Sequence, residues 1–228
     1  KEIPLDDIEL LLRIGALNND AELKGNEVIG DPTEGALIVS AEKKGLSREK
    51  LNGDYKRIDE IEFTSERKMM ATIHQSKKQK FSYVKGAPEV LLDRCDYVLV
   101  NGKAKKLSAK DKKEILKVNH EFASNALRVL GFAYREFKDK NSAEKNLVFV
   151  GLQAMIDPPR EEVKPAIEKC NKAGIKVIMI TGDHEITAKA IAREIGLQGR
   201  SITGQQLDEI KNLQDIVEDV AVFARVNP

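Results

Sequence analysis

The hydrophobic pattern of this chain changes period once, and that change constrains its fold more than any other feature. Over residues 55–63, 68–74, 81–85 and 97–100, apolar and polar residues roughly alternate between polar turns. That is the period of strands with one buried face. From Leu147 onward the runs are continuously apolar, at 147–152 and 175–180, and they alternate with helical stretches at 161–173 and 186–195. Such runs belong to buried parallel strands joined by helices. The polar, unpatterned stretch 139–146 lies between the two regimes. The expectation is an α+β domain with a mainly antiparallel sheet over residues 1–146, then a Rossmann-like α/β domain over 147–228.

Local signals fill in the first domain. Residues 5–17 have helical spacing with acids in the first turn, and Asn18-Asn19-Asp20 ends that helix. Asp31-Pro32 places an N-cap and a first-turn proline at the start of a second helix, with Glu34 in its first turn. Asn101-Gly102 is a hairpin turn, Ser108 caps a longer helix, and 128–137 returns as a strand.

Charge and cysteine content exclude several classes of function. Lys plus Arg number 38 and Asp plus Glu 37, so no net field attracts nucleic acid or an anionic surface. Two cysteines, Cys95 and Cys170, are too few for a disulfide framework and have no zinc-like spacing with histidine. His74, His120 and His184 read as surface or packing histidines. No apolar run reaches bilayer-spanning length, and a soluble, cytosolic piece is expected.

Several motifs admit a ligand as well as a plain structural role. In Tyr83-Val84-Lys85-Gly86-Ala87-Pro88-Glu89 a strand, a glycine and a helix start meet at one lysine. A compact ammonium beside a backbone freed of a side chain suits a nucleotide or phosphate, and equally a solvent-facing turn. Phe63 and Lys68 flank a turn where an aromatic face could stack on a flat base, or where the ring could simply enter the core. Glu34 could cap its helix or accept from a ligand amine. Arg128 could fork onto phosphate or pair at the surface. Asp157-Pro158-Pro159-Arg160 makes a rigid strand-to-helix corner. Thr181-Gly182-Asp183 sits at the carboxyl end of an apolar run, where open α/β sheets bind ligands.

Taken in order, Asp31-Pro32-Thr33-Glu34, the turn from Phe63 to Lys68, Lys85-Gly86-Ala87-Pro88-Glu89, Arg128-Val129-Leu130, Asp157-Pro158-Pro159-Arg160, Met179-Ile180-Thr181-Gly182-Asp183 and Val222-Phe223-Ala224-Arg225-Val226 closely resemble the cytosolic loop of P-type cation-transporting ATPases. The run Phe63-Thr64-Ser65-Glu66-Arg67-Lys68-Met69-Met70 is most similar to the calcium-transporting type. The resemblance implies an ATP-binding first domain inserted in a haloacid-dehalogenase-like phosphorylation domain. It implies that Phe63 stacks on adenine, Lys68, Lys85 and Gly86 border base and phosphates, Glu34 lines the pocket, and Arg128 contacts the phosphate chain. Thr181, Gly182 and Asp183 would cradle a phosphoryl group transferred to an aspartate.

The family's Asp-Lys-Thr-Gly-Thr nucleophile run and its Gly-Asp-Gly-x-Asn-Asp segment do not occur in the sequence. The resemblance therefore implies a partial phosphorylation domain that lacks its nucleophile strand and its C-terminal part, in a chain that binds ATP with Mg2+ and does not turn it over. Its partners would be ATP and the remainder of a parent pump on the cytoplasmic face of a membrane, including an actuator domain and membrane helices. A pump for Mg2+, Na+/K+ or H+, and a non-catalytic nucleotide-binding module, are the alternatives. Monomer and pairing through an incomplete sheet edge both stay open.

Overall fold

In the computed structural model, residues 5–25, 27–125, 127–156, 159–183, 185–210, 214 and 216–226 are described. The chain forms two compact units, one of Lys1–His120 with Val129–Met155, the other of Glu121–Arg128 with Ile156–Pro228.

The first unit is built on a seven-stranded sheet. Its elements in chain order are α1 (Leu5–Leu17), β1 (Glu22–Lys24), β2 (Glu27–Ile29), α2 (Pro32–Glu42), α3 (Arg48–Asp54), β3 (Lys56–Thr64), β4 (Met69–Ser76), β5 (Gln79–Gly86), α4 (Pro88–Leu92), β6 (Cys95–Val100), β7 (Lys103–Lys106), α5 (Ala109–Ser124), β8 (Arg128–Glu136) and β9 (Leu147–Met155). The large sheet has the order β3-β4-β5-β8-β9-β6-β7, and β1 and β2 form a separate hairpin. Alternation along the strands sorts the side chains onto two faces. Met69, Ala71, Val84, Ala133 and Phe149 pack with Leu91 and Leu92 of α4. Tyr83 and Phe132 pack with Leu12, Ile14 and Leu17 of α1, Leu37 of α2 and Leu51 of α3. The α+β, mainly antiparallel reading thus holds for this unit.

Two expectations change. The apolar run at 147–152, read from sequence as the first strand of the second domain, is β9 of the large sheet, paired in parallel with β6. The first unit therefore extends to Met155, beyond the boundary read at residue 146. Buried on both faces, between Phe149 on one side and Val150 on the other, β9 carries the continuous apolar signature of a parallel strand within a mixed sheet. The strands do not follow chain order across the sheet, since β8 and β9 intervene between β5 and β6.

The second unit contains α6 (Val163–Lys172), β10 (Met179–Thr181), α7 (Glu185–Glu194), β11 (Arg200–Thr203), α8 (Gly204–Asp208) and β12 (Val220–Ala224). Its three strands are parallel in the order β10-β12-β11. Ile167 of α6 and Ala188 and Ala192 of α7 pack with Val222 and Ala224, and Ile202 packs with Phe223. Only the last part of the apolar run at 175–180 is strand, and Ile175 is exposed. Asp157, Pro158 and His184 lie outside the described residues.

Candidate functional site

The site in the first unit is organised by Lys85, next to the last residue of β5. Its side chain points to the face that carries Tyr83 and is buried, with 7% of the residue exposed. The solvent-facing alternative is thus excluded. The ammonium donates to Asn18 O at 2.7 Å and forms an ion pair with Glu34 Oε1. Burial lowers the Lys85 pKa from the ordinary lysine value, and the hydrogen bond and charge of Glu34 act against that shift.

Glu34 reaches this lysine because α2 starts where the sequence says it should. Asp31 Oδ1 accepts from Thr33 N at 2.7 Å and Glu34 N at 3.3 Å, and Pro32 occupies the first turn. Asp31 supplies the cap, so the Glu34 carboxylate is free to turn away from its own helix. Its Oε2 accepts from Asp20 N at 2.9 Å and Ala21 N at 3.1 Å. The carboxylate is held by these two amides and the lysine.

The turn that supplies those amides was read from sequence only as a helix stop. Asn18 Nδ2 donates to Met70 O at 3.0 Å and Tyr83 O at 2.8 Å, tying α1 to β4 and β5. Asn19 Nδ2 donates to Glu34 O at 2.7 Å. Arg48 donates to the carbonyls of Asn19 and Ala21, and Arg57 pairs with Asp20 at 2.8 Å. Asn18, Asn19, Arg48 and Arg57 belong to the site's frame. The paired asparagines at a helix end were the one sequence signal for it.

Phe63 is brought to the same face by a bulge. Ile61 pairs with Ala71 and Thr64 with Met69, so Glu62 and Phe63 together oppose Met70. In an unbroken ladder Phe63 would oppose Met69, which is buried in the core of the other face. Met70 in turn pairs with Lys85. Phe63, Met70 and Lys85 therefore share one cross-strand row, with Phe63 and Lys85 two strands, about 10 Å, apart. Met70 is buried between them, and Phe63 is 57% exposed, so its ring did not enter the core.

Lys68 and Gly86 close the end of this row. Lys68 is exposed, has a left-handed φ of 50°, and its carbonyl accepts from Ala87 N at 3.0 Å. A Cβ at Gly86 would sit 2.6 Å from that carbonyl, so the two loops can meet only over a glycine. Phe63, Lys68, Lys85, Gly86 and Glu34 thus converge on one rim of the first unit.

The remaining residues singled out from sequence belong to the second unit. Arg128 is exposed and opens β8. Thr181 ends β10, and its hydroxyl accepts from Asp183 N at 3.0 Å. Arg225 N donates to Asp183 O at 3.0 Å and Val226 N to Thr181 O at 3.2 Å. Thr181, Gly182 and Asp183 stand at the carboxyl edge of the parallel strands, with Gly182 and Asp183 exposed. Among the described residues no group of three His, Cys, Asp or Glu side chains could hold a metal ion, and no helix is long and apolar enough to cross a membrane.

A family model described as the cytoplasmic domain N of P-type ATPases matches residues 7–162. A calcium-transporting ATPase 1 of Bacillus cereus is 42% identical over 228 residues, covering 96% of this chain and 26% of that protein. A calcium-transporting ATPase 1 of Lactococcus lactis is 42% identical over 233 residues, covering 97% of this chain and 26% of the relative. A cation-transporting ATPase of Synechocystis, pma1, is 41% identical over 237 residues, with 97% and 26% covered. The chain thus spans about a quarter of the length of these relatives.

Proposed function

This chain belongs to the P-type ATPase family, and from that premise we propose that the rim around Phe63 and Lys85 binds ATP as part of a calcium-transporting pump. The observation that carries the reading is the bulge at Glu62-Phe63, which sets an exposed aromatic ring in one row with Met70 and the buried Lys85–Glu34 pair. An exposed ring costs little stability when removed, so its placement is better accounted for by a ligand than by packing.

The electrostatics divide the work among these groups. The Lys85–Glu34 pair carries no net charge and its carboxylate already accepts from three donors, which suits an uncharged adenine ring stacked on Phe63. Lys68, exposed at the end of the row, then faces the phosphates; Arg128, which falls in the second unit, is a separate candidate for a phosphate contact. Magnesium arrives with ATP, as counter-charge to the phosphates.

In the second unit, Thr181, Gly182 and Asp183 cradle a phosphoryl group that is transferred to an aspartate outside this sequence, on a pathway through an aspartyl-phosphate in a partial haloacid-dehalogenase-like domain. The nucleophilic aspartate belongs to the Asp-Lys-Thr-Gly-Thr run that this sequence does not contain. The chain by itself therefore binds ATP and releases no phosphate. The parent protein is an integral membrane pump with this chain on its cytoplasmic side.

Titration of ATP into the chain, followed by calorimetry or NMR, tests the site. Affinity in the millimolar to submillimolar range is expected, on the order of 4 to 6 kcal/mol for one stack and a few exposed charge contacts. Phe63→Ala weakens it by about 10- to 100-fold, the loss of one base–aromatic stack. Unchanged affinity in both Phe63→Ala and Lys85→Ala refutes the assignment.

A further inference from the structure

We infer that the β7 edge of the large sheet is a docking site for an extended, acidic peptide segment of another protein, which pairs with β7 as an added strand. Among the described residues β7 is the last strand on its side of the sheet. Tyr97 pairs with Lys106, Val98 with Lys105, Leu99 with Ala104 and Val100 with Lys103, and Leu107 N donates to Asp96 O at 2.8 Å. In an antiparallel ladder every second pair exchanges both hydrogen bonds. Counting from Asp96 and Leu107, the bonded pairs are Val98 with Lys105 and Val100 with Lys103. Ala104 and Lys106 therefore turn their N–H and C=O away from β6, which is what an incoming strand requires.

The side chains on this edge set the chemistry of the partner. All four residues of β7 are exposed, and three of them are lysines, Lys103, Lys105 and Lys106. Edge lysines discourage pairing between copies, because like charges directly opposite one another repel. A second copy's β7 is excluded for that reason, whereas a strand bearing carboxylates opposite these positions is favoured. Lys103 and Lys105 project to one face, Ala104 and Lys106 to the other.

A cavity of about 300 Å³ opens beside Ala104 on that second face, lined by Tyr97, Tyr134, Val148 and Lys138 among others. Ala104 is the small residue of the edge, and Tyr97 is 44% exposed. A side chain lying over Ala104 meets the mouth of the cavity beside Tyr97. The matching segment thus carries one aromatic or large aliphatic anchor opposite Ala104, with acids opposite Lys103, Lys105 and Lys106. The edge is also held in place before any partner arrives. Asn101 and Gly102 both have left-handed φ, and Gly102 N donates to Asp7 Oδ1 of α1 at 2.8 Å.

The test uses the 228-residue chain and a fluorescein-labelled acetyl-Ser-Glu-Glu-Phe-Glu-Ser-amide, with the Lys-for-Glu peptide as control. Binding is expected by anisotropy for the acidic peptide only, weakening as salt rises. The largest amide shifts are expected at Ala104 and Lys106. Ala104→Pro removes an outward N–H without touching the ladder to β6, and binding falls several-fold. Lys103→Glu, Lys105→Glu and Lys106→Glu together weaken the acidic peptide by at least about tenfold and let the lysine peptide bind. Should Ala104→Pro not fold, the charge reversal decides alone. Binding indifferent to the charge reversal, shifts mapping to another surface, or self-association of the chain through this edge overturns the inference.

Discussion

Replacing Glu34 by Gln is the sharpest perturbation of the first unit, because it strips the counter-charge from a buried lysine. Lys85 is 7% exposed and has two acceptors, Glu34 and the carbonyl of Asn18. Breaking a buried pair from one side costs about 3 to 5 kcal/mol, since a charge is left without compensation. Asn18 O remains and a glutamine oxygen can still accept, so the lower figure, about 3 kcal/mol at pH 7, is expected. That corresponds to a melting-temperature drop of roughly 10 °C for a chain of this size. Lys85→Met removes the buried charge itself and leaves Glu34 bonded to the amides of Asp20 and Ala21, so it costs only about 1 kcal/mol.

The pH dependence separates this account from simple loss of packing. In the folded wild type, burial lowers the Lys85 pKa below its unfolded value of 10.5, and Glu34 opposes the shift. Without the carboxylate the folded pKa falls further. The unfolded chain then binds more protons than the folded one from that lower pKa up to 10.5, so stability of the variant rises with pH through this window. The gap between wild type and Glu34→Gln should therefore narrow as the pH rises from 7 toward 10.5. Urea unfolding followed by tyrosine fluorescence measures it in the first unit alone, because Tyr55, Tyr83, Tyr97 and Tyr134 all lie there and the chain has no tryptophan. A gap that is constant over this range, or smaller than about 1 kcal/mol at pH 7, refutes the reasoning.

Three further outcomes rest on the same packing. Gly86→Ala places a Cβ 2.6 Å from Lys68 O and should destabilise by about 1 to 3 kcal/mol, with ATP affinity falling alongside, measured by denaturation and calorimetry. His74 is fully buried against Tyr55 O and Thr72 Oγ1, and desolvation lowers its pKa to about 4; stability is then lost as pH falls from 6.5 toward 4, by up to about 3 kcal/mol, and His74→Leu should flatten that part of the acid limb. Burial pushes the Cys95 thiol up to about 12 and its Sγ donates to Leu91 O, so a thiol reagent should modify the half-buried Cys170 in the native chain and reach Cys95 only after unfolding.

The parts of the fold legible in the sequence were those set by local chemistry. The Asp31-Pro32 cap and the Asn101-Gly102 turn both form where the residues signal them. The two sheet types were legible as periods. What the pattern did not carry was partnership between distant strands. Leu147–Met155 reads as a buried parallel strand and is one, but its neighbour is β6 of the first unit, a pairing that no local signal encodes. The same holds within the site. Lys85, Phe63 and Glu34 were visible as residues, whereas the Asn18–Asn19 turn that holds Lys85 and Glu34 works through acceptors 52 and 65 positions away in Met70 and Tyr83.

The β3 bulge makes the ring of Phe63 dependent on chain length rather than on composition. Deleting Thr64 would bring Phe63 into register with Met69, restoring an uninterrupted ladder at this end of β3 and turning the aromatic side chain toward the core face. Such a deletion variant keeps every other residue of the row and could be the more stable protein, yet it would present no ring to a base. At this rim recognition is held in a count of one residue, so a length change here is more damaging than most substitutions.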